Sequence, residues 1–265
     1  MVNFLSKEET SISNEFLKNG YLIKKINDDK SLDFIKKLFL KIIKKKKEFK
    51  YLKDNEIFDQ THKYLKKNDL NDFRLNIINA LNNNKYFRKN YFQCSKFLLD
   101  LIVGNELVMQ KKINLSIQLP NDNSSLLDVH ADVWSGDSPY EAVIWMPLVD
   151  CFKTKSMYIL PFSKYKKYES NLFSKKIKNS QNLFDKIKKD VHWLDVKFGE
   201  ILIFNQCLPH GNIVNKTKET RWSMNCRFKS VYSPYADKKI GEFFEPISLK
   251  SISRSAIKYN FPKIK

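Results

Sequence analysis

The sequence predicts an α+β chain in which a helical layer packs on a double-sheet jelly roll. Apolar residues recur at helical spacing through the first third of the chain, and near Val108 the period changes to the alternation of strands. About eight short strand-like segments follow, separated by turn residues. At 265 residues the chain is long enough for one large domain over 1–265. Within it, 1–105 is the mainly helical part, 106–232 the jelly-roll core with an insertion near 165–190, and 233–265 a C-terminal extension.

Phe16 to Gly20 reads as the end of a short helix, because Gly suits the left-handed position after a last turn, and Tyr21-Leu22-Ile23 reads as a strand. From Ser31 to about Phe49, Leu32, Phe34, Ile35, Leu38, Phe39, Leu40, Ile42 and Ile43 form a broad helical stripe with Lys opposite, and Ser31 is placed to cap it. Residues 44–69 are polar and Lys-rich without a Gly or Pro boundary, and are read as a loop over the core. Helical spacing resumes over Leu70–Asn82 and Tyr91–Val103. Then Ile113, Leu115, Ile117 and Leu119 alternate with Asn114, Ser116 and Gln118 as in a half-buried strand. After the turn residues 120–125 come a strand over Leu127–Trp134, another over Ala142–Val149, and a short one over Met157–Leu160 that Pro161 stops. The Lys- and Asn-rich stretch from Tyr165 is the insertion, with one helix over about Asn182–Lys189. Strands resume at Val191–Val196, Gly199–Phe204 and Arg221–Val231.

The formal net charge of +19 raises nucleic acid or an anionic membrane as a partner, since basic surfaces attract phosphates at long range. The kind of cation weakens that inference. Of 48 basic residues only five are Arg (Arg74, Arg88, Arg221, Arg227 and Arg254), and Arg is the residue suited to bidentate phosphate and base recognition. Abundant Lys, Asn, Ile, Phe and Tyr with scarce Gly, Pro and Arg fit AT-rich codon usage, so the Lys excess reads as a solvated face. Cys94, Cys151, Cys207 and Cys226 lack CxxC spacing and read as free thiols. The first residues lack a charged region followed by an apolar run, and no later segment has about 18 uninterrupted apolar residues, which points to a cytoplasmic protein with no membrane segment.

The chemistry centres on His130 and Asp132. Residues two apart in a strand share a face, so the two can present an imidazole and a carboxylate side by side. About eighty residues on, the strand Gly199–Phe204 leads to His210, whose imidazole can complete the site. Two His and one carboxylate on one face of an octahedron leave three positions open, the arrangement by which non-haem Fe(II) oxygenases hold iron. His-x-Asp alone is weak evidence, and its null role is a surface turn or a hydrogen-bonded pair. The added weight comes from Arg221, eleven residues beyond His210 on the next strand. Arg221, Ser223, Asn225 and Arg227 share one face of that strand, and Trp222, Met224, Cys226 and Phe228 the other. Arg221 with Ser223 suits a carboxylate, the guanidinium giving two parallel hydrogen bonds and the hydroxyl a third. His62 and His192 read as structural, and Glu200 as either a supporting group or a solvent residue.

With this order of residues, and the early Phe16-x3-Gly20-Tyr21, the chain resembles the phytanoyl-CoA dioxygenase-like branch of Fe(II)/2-oxoglutarate oxygenases over roughly Phe16 to Phe228. More narrowly it is similar to oxygenases of sporadic carbohydrate-biosynthesis clusters, related to one from streptomycin biosynthesis. The resemblance implies a double-stranded β-helix of cupin-like type, with Fe(II) on His130, Asp132 and His210 and the distal carboxylate of 2-oxoglutarate on Arg221, assisted by Ser223. It implies O2 as oxidant and a small-molecule substrate, a sugar, nucleotide-sugar or glycan-linked compound. Trp145 matches a position that lines the cosubstrate pocket, with an equal claim as a core aromatic, and Gln118 and Asn114 are further candidates on the adjacent strand. Where the wider family often carries Pro-Gly-Ser-His after the third strand, this chain has Ser156 to Lys164, so substrate contacts do not carry over. Related halogenases have a small residue in place of Asp132, and a carboxylate there argues for hydroxylation or desaturation. Two other readings remain: a dioxygenase acting on nucleic acid, and a metal-independent carbohydrate-binding jelly roll with Trp134, Trp145 and Trp193 as sugar platforms.

Overall fold

Ser6 opens helix α1 (Lys7–Asn19) through a capping box with Glu9, and Gly20, at φ 78°, closes it in the left-handed conformation expected of it. The computed structural model describes residues 4–169, 172 and 179–260. The chain continues into β1 (Tyr21–Lys25) and α2 (Asp29–Ile43). Asp28, not Ser31, caps α2: its carboxylate accepts hydrogen bonds from the Ser31 N–H and hydroxyl, both at 2.9 Å. An ionised carboxylate is the better partner for the positive end of a helix, so the helix starts earlier than the Ser signal suggests.

Residues 44–69, expected as a loop, instead hold 3-10 turns at Lys47–Phe49 and Lys67–Asp69 and two short helices, α3 (Asp54–Asp59) and α4 (Thr61–Tyr64). Helices of four to six residues are too short to display a periodic stripe, although Phe49, Ile57 and Phe58 are buried. Helix α5 (Leu70–Asn82) has the bounds its spacing predicts. Helix α6 (Phe87–Ile102) starts a turn before Tyr91, because fully buried Phe87 belongs to its inner face.

Strands β2 (Leu107–Gln110), β3 (Asn114–Gln118), β4 (Glu141–Pro147) and β5 (Tyr158–Ile159) follow. After α7 (Phe162–Tyr165) and α8 (Ser180–Ile187) come β6 (His192–Trp193), β7 (Glu200–Asn205), β8 (His210–Gly211), β9 (Arg221–Ser230), β10 (Phe244–Ser248) and α9 (Ser251–Ala256). Helix α8 lies where the insertion's helix was expected; residues 170–171 and 173–178 of that insertion are outside the described residues.

The larger sheet has the order β1-β7-β4-β9-β2-β10, with β3 also beside β9, and the smaller one β6-β5-β8; their strand pairings are antiparallel. Strand β10 lies within the C-terminal extension, where no strand was expected. It pairs with β2 at the end of the larger sheet and buries Phe244 fully. Its Pro246 masks the strand signal, yet Pro is tolerated at such an edge.

Buried residues of helices and larger sheet form one continuous apolar cluster. At its centre Trp222, on the outer face of β9, meets Phe39 of α2, Phe58 of α3 and Phe73 of α5 edge-on, with ring centroids 5.6–6.3 Å apart. The indole N–H donates to the Phe58 carbonyl at 3.1 Å and the Thr61 hydroxyl at 3.0 Å, so the burial leaves no polar atom unmet. Fully buried Lys155 ties α3 to the approach to β9 through Asp59 at 3.2 Å and Glu219 at 2.7 Å. The four Cys are free thiols. No helix among the described residues is long and apolar enough to cross a membrane.

Candidate active site

The segment Leu127–Trp134 is not the strand its sequence suggests. It is extended around His130, which makes a single antiparallel bridge to His210, and Asp132 already opens a 3-10 turn, Asp132–Ser135, that ends at left-handed Gly136. His130 and Asp132 therefore do not share a face by strand alternation, whereas the second imidazole does come from a neighbouring strand, at His210. Residues directly opposite in an antiparallel bridge point to the same side. His130 and His210 exchange backbone hydrogen bonds of 3.0 and 2.8 Å, which sets their rings side by side with centroids 4.3 Å apart.

Both rings are fixed in one tautomer by neighbouring carbonyls. Nδ1 of His130 lies 2.7 Å from the Asp128 carbonyl and Nδ1 of His210 2.9 Å from that of Leu208. A carbonyl only accepts, so each Nδ1 carries the proton and each Nε2 offers its lone pair. The extended Ala131 and the turn after it bring Asp132 Oδ1 to 3.8 Å from His130 Nε2. A ligand atom from each of His130, Asp132 and His210 lies within 4.8 Å of the others, close enough to share one ion. Burial, reinforced by His130 alongside, pushes the His210 pKa down to about 4 against the opposing pull of Asp132, so its imidazole is neutral and able to bind metal at neutral pH. This donor set fits Fe(II).

The three residues open on a cavity of about 250 Å³ between the two sheets. The polar face of β9 also lines it, through Arg221, Ser223, Asn225 and Arg227, while Trp222, Met224, Cys226 and Phe228 are fully buried on the other side. Arg221 is 3% exposed and makes no ion pair among the described residues. It is steadied by neutral groups, the Ser116 hydroxyl at 3.1 Å and the Ser156 carbonyl at 3.4 Å, while its Nε and the Ser223 hydroxyl are buried without a partner. An unpaired buried guanidinium is costly, and burial lowers its pKa. An anion received here offsets both deficits.

Arg227 is the residue that sequence reasoning placed on this face without giving it a role. Its guanidinium donates to Asp132 Oδ1 at 3.0 Å and to Gln206 Oε1 at 2.9 Å, and lies 3.3 Å from Asp137. Asp137 also pairs with Lys238 at 2.5 Å, and Gln206 donates to Glu141 at 2.5 Å. Asp132 is thus oriented from behind by a buried polar network. The signal for Arg227 was the spacing, three alternations after Arg221 on one strand face; its partner was invisible because Gln206 and Asp137 lie on other segments.

No family profile matches the sequence, and no curated protein matches it. Solved structures do. A non-haem monooxygenase, ThoJ, in complex with Ni aligns over 93% of this chain and 93% of its own, at 13% identity and TM-score 0.55. The non-haem α-ketoglutarate-dependent carbocyclase SnoK from nogalamycin biosynthesis aligns over 92% and 97%, at 13% identity and TM-score 0.53. EctD from S. alaskensis, solved with 2-oxoglutarate and 5-hydroxyectoine, aligns over 89% and 80%, at 12% identity and TM-score 0.55. The chain shares the fold of these three proteins.

Within this fold the remaining candidates separate. Trp145 lines the cavity, together with Met157 and Phe204. Gln118 does not: it is fully buried opposite Arg221 in the β3–β9 register, its amide donating to the Ile213 carbonyl at 2.7 Å. Asn114 and Ser116 of the same strand do line it. His62 hydrogen-bonds Thr220 and His192 hydrogen-bonds Tyr21, each at 3.0 Å, and Glu200 accepts from the Lys197 N–H, all away from the cavity lining. The three Trp of the sugar-platform reading are dispersed: Trp145 is in the cavity, Trp134 packs on the apolar cluster under β5, and Trp193 borders a different depression beside Phe152.

Proposed function

We propose that the chain is a non-haem Fe(II)- and 2-oxoglutarate-dependent dioxygenase of the phytanoyl-CoA dioxygenase-like branch, built on a double-stranded β-helix with an N-terminal helical layer. Its substrate is a sugar, nucleotide-sugar or related small molecule, in which it oxidises a C–H bond. The observation that carries the reading is one cavity lined both by a metal-competent triad, His130, Asp132 and His210, and by the unpaired buried cation Arg221. A dicarboxylate reaching from the triad to Arg221 suits that arrangement.

His130 and His210 would hold the metal through Nε2 and Asp132 through a carboxylate oxygen, each oriented by the hydrogen bonds already described. Arg221 and Ser223 would bind the far carboxylate of 2-oxoglutarate, with Ser116 keeping the guanidinium in position. When bound, Fe(II) and 2-oxoglutarate supply the O2-dependent oxidation, with succinate and CO2 as co-products. Trp145, Met157 and Phe204 keep water from the cosubstrate, and Asn114 and Asn225, hydrogen-bonded to one another at 3.0 Å, offer amide groups to a hydroxylated substrate. The sugar class rests on the family resemblance together with these amides. The test is release of labelled CO2 from 1-labelled 2-oxoglutarate under air. Release that requires Fe(II), stops with EDTA and is stimulated by particular sugars or nucleotide-sugars supports the reading; metal-independent release or none with every compound contradicts it.

A further inference from the structure

We propose that the substrate carries a phosphate ester that docks on Arg74 and Lys67 at the entrance to the catalytic cavity; this rests on the reading of that cavity as the substrate's site. A second cavity, bounded by Lys67 and the start of α5 on one side and residues 124–127 on the other, shares Asn114, Ser116, Leu127 and Asn225 with the first. The two form one cleft that passes along β3. Four cations line it, Lys67, Arg74, Arg221 and Arg227, against one lining carboxylate, the proposed metal ligand Asp132; Arg227 and Lys67 also pair with Asp137 and Asp122 just outside the lining, which leaves Arg74 and Arg221 as the cations with no ion pair among the described residues. Such an imbalance in a low-dielectric cleft concentrates anions.

Arg is scarce in this chain, so its placement is informative. Of the five, Arg88 pairs with Glu245, Arg254 is exposed on α9, Arg221 faces the cosubstrate's place, and Arg227 is occupied by Asp132 and Asp137. Arg74 remains. It is held by neutral acceptors, Asn71 Oδ1 at 2.8 Å and the Leu115 carbonyl at 3.4 Å, and forms no ion pair among the described residues, so its charge stays available. Lys67 donates to the Asn121 carbonyl at 3.1 Å and forms a loose, largely exposed ion pair at 3.9 Å with Asp122, a carboxylate that also accepts from Ser124. A guanidinium and an ammonium on one wall match the charge of a phosphate monoester, about −1.5 to −2 at neutral pH, and a diphosphate, which is more negative still, is drawn by the same pair.

The test is equilibrium dialysis of the full chain at about 0.15 M salt, where long-range surface attraction is screened. The probes are glucose 1-phosphate, uridine diphosphate, methyl glucoside and a short oligothymidine. One or both phosphate compounds should bind and the neutral glycoside should not, with the preference between the two telling a sugar phosphate from a nucleotide-sugar. Arg74→Gln should weaken binding at least tenfold, Lys67→Gln severalfold, and Arg74→Lys should restore part of it. Arg254→Gln, an equal loss of charge elsewhere, should leave it unchanged. No phosphate binding by the wild type, equal loss in Arg74→Gln and Arg254→Gln, or binding of the oligonucleotide alone overturns the proposal. The visible band of the anaerobic Fe(II)/2-oxoglutarate complex, recorded in parallel, keeps the two readings apart. A band retained in Arg74→Gln with phosphate binding lost supports both, and phosphate binding through Arg74 without a band in the wild type overturns only the oxygenase reading.

Discussion

Arg221 holds a buried charge beside the cavity with neutral hydrogen-bond partners and no ion pair among the described residues. Its charge is buried, its Nε is unpaired, and the adjacent Ser223 hydroxyl is unpaired too. Removal of charge-assisted hydrogen bonds worth about 1.5–3 kcal/mol should raise the 2-oxoglutarate concentration needed for half-saturation roughly 10- to 100-fold in Arg221→Ala. A thermal-shift titration with 2-oxoglutarate measures this, and an unchanged midpoint would remove Arg221 from the site. Arg227 acts through Asp132 rather than on a substrate. Arg227→Met should weaken Co(II) binding about 10- to 100-fold, as loss of groups that orient metal ligands does, and should also lower the melting temperature of the metal-free protein, because it leaves buried Asp132, Asp137 and Gln206 without that partner. His210 gives a pH dependence of known sign. Its folded pKa, about 4, lies below the ordinary His value of 6.5, so the unfolded chain takes up the proton first and stability falls as pH is lowered from 6.5 toward 4. Urea midpoints at successive pH values should show that slope in the wild type and a shallower one in His210→Gln.

At the scale of elements, the bridge between 130 and 210 depends on close packing at Gly211. A Cβ there would lie 2.6 Å from the Tyr158 hydroxyl and 2.8 Å from the Leu127 carbonyl. Gly211→Ala should therefore cost about 1–3 kcal/mol by overpacking, read from urea unfolding, and Tyr158→Phe should recover part of it because the shortest contact, to the hydroxyl, disappears while the ring carbon at 3.0 Å and the Leu127 carbonyl remain. Strand β9 was the most legible element. Its apolar and polar residues alternate strictly, so both its core face and its cavity face could be read before any partner was known. The segment 127–134 was misread because Val129, Ala131 and Val133 imitate a strand, while Gly136 and the turn residues beyond it pull Asp132 into a 3-10 turn. His130 and Asp132 do come close, but through the extended Ala131 and the turn after it rather than through strand alternation, and the bridge to His210 sets the second imidazole beside the first. Gln118 was drawn in by alternation with Asn114 and Ser116, and alternation cannot say where a cavity ends along a strand. Strand β10 escaped because an edge strand with Pro246 has neither the length nor the composition that marks a central one.

For the whole molecule, the charge of +19 is the property most open to misreading. If it is a solvated surface, nucleic-acid binding should be weak near physiological salt and fall uniformly as Lys residues outside the cleft are replaced, with no single face dominating. The catalytic account instead depends on a few buried groups from distant parts of the chain: a bridge joining 130 to 210, a strand face carrying Arg221 and Arg227, and helices that fix that strand through Trp222. The most direct test is anaerobic titration of metal-free protein with Fe(II) and then 2-oxoglutarate, followed by visible absorption. The account predicts the weak charge-transfer band of 2-oxoglutarate chelated to iron in the wild type and its loss in His210→Ala. Folded protein that binds Fe(II) but gives no band, or a band of equal strength in the His210 variant, would contradict it.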